Sequence, residues 1–129
     1  MPFFAPFALS CLLLVSCMGA SAADVYSDVS RLIAASQWSA ALKEAQQHLK
    51  LHANDPQMRL LLSQIQDGQG ETQAATATLQ ALTQSYPELP EPHNNLAALL
   101  VRENRHDEAL AALQAAIRAK PDYALALEN

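Results

Sequence analysis

Two histidines one helical turn apart, His48 and His52, are the residues whose types and spacing come nearest to chemistry. An i, i+4 pair on one helix face can ligate zinc. A working site needs a third ligand, commonly a carboxylate, and the hydrolytic form of the motif places Glu directly after the first His. Leu49 stands there instead. The pair is therefore read as a partly exposed helix end, where positive charge complements the helix dipole. A metal-dependent enzyme built on it is the remote alternative. His93 opens a helical run and His106 follows a turn, and both are expected to be solvated. Asp67-Gly68-Gln69-Gly70 is glycine-rich, but no strand precedes it and no Gly-Lys-Ser/Thr follows, so it reads as a turn and not a phosphate cradle. No Ser/His/Asp pattern or paired-carboxylate motif stands out. The expectation is a protein that is not an enzyme, with no catalytic residues, no cofactor and no metal site.

The elements around these residues are helical. Pro90 to Tyr123 holds two amphipathic runs joined by a tight turn. Leu96, Leu99 and Leu100 fall at i, i+3, i+4, and Ala109, Leu113, Ala116 and Ile117 share a face. Asn104 tolerates the left-handed conformation that commonly ends a helix. Pro121 closes the unit, since proline cannot continue a helix. Such a pair leaves an apolar side uncovered and needs neighbours. They recur at a step of thirty-four residues: Asn104, Gly70 and Ser36; Ala109, Ala75 and Ala41; Leu113, Leu79 and Ala45; Pro121 and Pro87. A fixed period over three units is the mark of a helical solenoid. Asp24–Ser36 and Trp38–His52 form the first pair, with Trp38 as a packing anchor. Asp55 is a good N-cap before Pro56, and Thr72–Ser85 is the next long helix. Tyr86–Pro92, with three prolines, is expected to be extended.

The pattern resembles the tetratricopeptide repeat family, and in particular periplasmic members from Gram-negative bacteria. The third unit carries Asn95, Leu96, Ala97, Ala109, Ala116 and Pro121 at the motif positions, with Asn104 in place of Gly. The second carries Leu62, Ser63, Gly70, Ala75 and Pro87, with Leu82 at a position that is usually small. The first keeps Trp38, Ala41 and Ala45 but has Asp28 where Leu is usual and His48 at a small-residue position. The resemblance implies an all-α, right-handed superhelical solenoid of about three units, 22–55, 56–89 and 90–123, with 124–129 opening a capping helix. It also implies a concave groove that holds an extended peptide or a partner helix. By motif position the groove candidates are Tyr26, Ser30 and Ile33, then Leu60, Gln64 and Asp67, then Asn94, Asn95, Ala98 and Arg102. Glu91 stands where the carboxylate-clamping subtype has a basic residue, so that subtype is disfavoured.

Composition narrows the partner. Half of the 129 residues are apolar and the net charge is −5, with no basic cluster. Nucleic acid is not an expected partner. Residues 1–23 read as a signal peptide: Phe7–Val15 is too short to span a bilayer, and Ala20-Ser21-Ala22 resembles a cleavage site. Both cysteines, Cys11 and Cys17, lie within it. Leu14-Val15-Ser16-Cys17 also resembles a bacterial lipobox, which leaves lipidation of Cys17, and with it a membrane, as the alternative to cleavage. The expected protein is a periplasmic protein–protein interaction module occupying residues 24–129. The runner-up is an accessory region of a longer envelope protein, suggested by the stub of a fourth helix.

Overall fold

A computed structural model describes residues 22–120, so residues 1–21 of the leader, with Cys17, and the fourth-helix residues lie outside the described part. Six helices follow in order: α1 (Ala22–Ala34), α2 (Trp38–Leu51), α3 (Pro56–Gly68), α4 (Thr72–Ser85), α5 (Pro90–Arg102) and α6 (His106–Ala119). There is no strand among the described residues. Each helix packs on the next, and α1 also reaches α3. This is the all-α solenoid that the repeat implies. None of these helices is long and apolar enough to cross a membrane.

The thirty-four-residue step is written into the backbone. Ser36, Gly70 and Asn104 all have positive φ, at 56°, 80° and 60°. Each ends the first helix of a pair in a left-handed residue, so carbonyls of the last turn find donors. The N–H of Gln37 bonds the carbonyl of Leu32, that of Glu71 bonds Gln66, and that of Arg105 bonds Leu100, each at 2.9 Å. Glycine takes this conformation freely; Ser36 and Asn104 hold it against a steric cost.

Two apolar clusters lie between the helices. Val29, Ala41, Ala45, Met58 and Ile65 form the first, joining the α1–α2 pair to α3. The second is larger and leucine-rich: Leu79, Leu82, Leu96, Leu99 and Leu100 with Ala75, Ala97, Ala109 and Ala112 join α4, α5 and α6. Small residues at 41, 45, 75, 109 and 116 let helix backbones approach closely. Trp38 is half-buried and lies against Gly68, where an added Cβ would sit 2.5 Å from its ring. That contact ties the start of α2 to the end of α3.

Four expectations need correcting. The stretch from Asp67 is not all turn, because α3 runs through Gly68 and only Gln69 and Gly70 lie outside it. Pro90 and Pro92 belong to the first turn of α5, where a proline costs no hydrogen bond because those N–H groups have no helical partner. His93 is buried, 8% exposed, and its Nε2–H donates to the Pro87 carbonyl at 3.0 Å. Ile117 is 40% exposed, and Ala112 takes the inward position instead.

Candidate functional site

A groove opens between α3 and α5, the first helices of the second and third units. Its cavity is about 340 Å³ and is lined by Ser63, Gln64, Asp67, Leu79, Asn95, Ala98, Leu99 and Arg102. Both helices begin at a proline, and both end at a left-handed residue two positions past the last helical one. Equivalent turns therefore lie in register. The floor is apolar, made by buried Leu79 and Leu99. Ser63 is buried and turns its hydroxyl back to the Leu60 carbonyl at 2.6 Å, which satisfies it without the groove. Asp67 accepts a hydrogen bond from Arg102 across the groove, and both side chains remain partly solvated. Neither the Gln64 nor the Asn95 amide bonds another described protein group; Gln64 is exposed and Asn95 half-buried. Each amide offers two donors and an acceptor, the set that a peptide backbone presents in complement.

Of the sequence candidates, the fold brings Gln64, Asp67, Asn95, Ala98 and Arg102 to this groove. The others lie elsewhere. Leu60 packs against the larger core cluster and Ile33 against the smaller. Ser30 is exposed on α1 and Asn94 is half-buried on α5. Tyr26 bonds Asp55. The apolar floor escaped sequence reading because Leu79 and Leu99 fit the core pattern equally well, and only the gap between α3 and α5 exposes one edge of each.

A second hollow, of about 820 Å³, lies at the α5–α6 turn and is lined by Thr72, Gln73, Thr76, Ala77, Gln80, Arg102, Glu103 and Arg105. Its charges satisfy one another. Arg105 bonds Glu108 at 2.6 Å and Glu103 at 3.1 Å, which pushes the guanidinium further up. The bond from Arg105 holds the Glu108 carboxyl down. Thr76 lies 3.4 Å from Glu103. These groups fix the turn.

The histidine pair has acquired a third neighbour. His48 Nε2 donates to Asp55 Oδ2 at 2.6 Å, and its ring lies 4.8 Å from that of His52. The Asp55 carboxylate is already engaged by Tyr26, by His48 and by the N–H groups of Gln57 and Met58. Burial raises the Asp55 carboxyl, but the bonds from Tyr26, His48 and the Met58 N–H, with the charge of His48, outweigh it and hold it below the usual carboxylate range. The bond to Asp55, then burial and the carboxylate charge, push the Tyr26 phenol up. Among the described residues no three His, Cys, Asp or Glu side chains are placed to ligate one ion.

The model of the tetratricopeptide repeat matches residues 68–128. No curated protein matches the chain in sequence. Among solved structures, that of the MamA RS-1 ArsTM double mutant superposes with a TM-score of 0.69 at 19% identity, over 78% of this chain and 57% of that one. This chain thus spans little more than half of that protein, and at such identity the likeness is one of fold. Tetratricopeptide repeats generally mediate contacts between proteins. Residues 68–128 thus match the tetratricopeptide repeat, and the thirty-four-residue period with its left-handed turns at Ser36, Gly70 and Asn104 carries the same helical-repeat pattern back through the first unit.

Proposed function

We propose that this protein is a non-catalytic module that holds an extended segment of a partner protein in the α3–α5 groove. The observation that carries the reading is the pair of unbonded amides, Gln64 and Asn95, above the apolar floor of Leu79 and Leu99. A peptide backbone would bond the amides, and a small apolar side chain would fill the cavity between them. The ion pair of Asp67 and Arg102 neutralises one end of the groove, so the ligand needs no strong net charge. The test is the double variant Asn95→Ala with Arg102→Ala, used as bait against extracts of its own cell. It should keep the wild-type melting temperature and lose the partners that wild type retains. Retention of every partner would move the binding surface elsewhere.

The envelope is the proposed location, supported by the signal-like character of residues 1–23. Intact mass from the native cell tests it. Cleavage near Ala22 gives a cysteine-free chain, and an acyl adduct on Cys17 gives a membrane-anchored one. An intact leader in the mature protein would contradict the proposal.

A further inference from the structure

The two junctions between repeats are built from different chemistry at the same positions. Advancing Tyr26, His48 and Asp55 by thirty-four residues gives Leu60, Leu82 and Leu89. At the second junction Leu82 is fully buried and Leu60 packs onto its cluster. At the first, the same three positions carry a phenol, an imidazole and a carboxylate bonded to one another. One carboxylate thereby joins three helices: Tyr26 reaches it from α1, His48 from α2, and Asp55 itself caps α3 through the N–H groups of Gln57 and Met58. The α1–α2 pair is also the most thinly packed of the three hairpins.

We propose that the Tyr26–His48–Asp55 cluster is a pH-sensitive clasp that lets the first helix pair release from α3 while the other repeats stay folded. The groups that face Asp55 are few. Tyr26 comes from α1, and His48 from α2 with His52 against its ring. The next charged residue on α3 is Arg59, whose backbone N–H bonds the Asp55 carbonyl. Because Asp55 is held below the usual range, its contribution is complete above the ordinary carboxylate pKa. It fades as pH falls through that value toward the lower one. One proton is taken up on release, so the opening constant rises up to about tenfold per pH unit across that window. Release uncovers the Met58 and Ile65 side of α3, now buried under the first pair.

Trp38, the one tryptophan in the chain, lies on α3 at Gly68 and reports on this junction. The experiment follows Trp38 emission and far-ultraviolet ellipticity together from pH 7 to pH 2.5. The expected result is a red shift of Trp38 in a one-proton step. Helicity from two of the six helices is lost with it, before the remainder unfolds. Asp55→Asn keeps a capping side chain without the charge, and should show no step of its own in that range. Tyr26→Phe should fold normally and move the step to higher pH, because one bond holding the carboxylate down is gone. A single coincident transition of both signals in wild type would overturn the proposal. So would an unchanged step in Asp55→Asn or an unmoved one in Tyr26→Phe.

Discussion

The α3–α5 groove and the Tyr26–His48–Asp55 cluster are both polar clefts between helices of neighbouring repeats, yet the cluster bonds all three of its polar side chains to one another while the groove leaves two amides without a protein partner. In the cluster, the carboxylate is met from α1, α2 and the start of α3. In the groove, Gln64 and Asn95 face an opening with their amides unbonded among the described residues. A satisfied network spends its bonding on the fold, whereas groups left open are available to a ligand. Groove variants should therefore change binding and leave stability alone. Cluster variants should change stability and its pH dependence and leave binding alone.

The largest expected effect breaks the comparison from below. Leu96 is buried on α5 in the larger core cluster. Leu96→Ala should cost about 2–5 kcal/mol in denaturant unfolding and lose partner binding as well, since both regions depend on the array. Asp55→Ala comes next, at about 1–3 kcal/mol, because it removes a cap and strands the Tyr26 hydroxyl and His48. Partner capture should survive it at neutral pH. Gly68→Ala should cost about 1–3 kcal/mol by pushing the Trp38 ring aside, with a change in Trp38 emission as its signature. Tyr26→Phe should cost about 1 kcal/mol at neutral pH. The Tyr26 phenol is held up by its bond to Asp55, so the lost stability is present below the ordinary tyrosine pKa and disappears at alkaline pH as the wild-type phenol ionises. Smallest is Gln64→Ala, within about 0.5 kcal/mol in stability, with its effect confined to binding.

The sequence period reached the fold well because it is enforced by local rules. Asn104 is expected at a left-handed turn and has that backbone, and Gly70 and Ser36, one and two periods back, share it. Asp55 was recognisable as a cap because the cap needs only its own next few residues. What stayed hidden depends on distant chain. His93 is buried because the Pro87 carbonyl bends back to it, which no helical pattern announces. Ile117 continues the apolar stripe of α6 in sequence, but its side of that helix lies outside the described packing. Spacing on one helix is what sets the histidine pair apart in sequence. Its actual partners, Tyr26 and Asp55, come from two other segments. In the groove, motif position identified Gln64, Asn95 and Arg102, while Tyr26 and Leu60 were claimed by packing with the neighbouring repeat.

The most direct test of the binding account places a photoreactive residue at Asn95 in one variant and at exposed Lys43 on α2 in another. Both are irradiated in the native cell, and adduct masses are compared. Discrete adducts from position 95, absent from position 43, are the predicted result. Adducts from position 43 alone, or the same adducts from both, would contradict the assignment of the α3–α5 groove as the partner site.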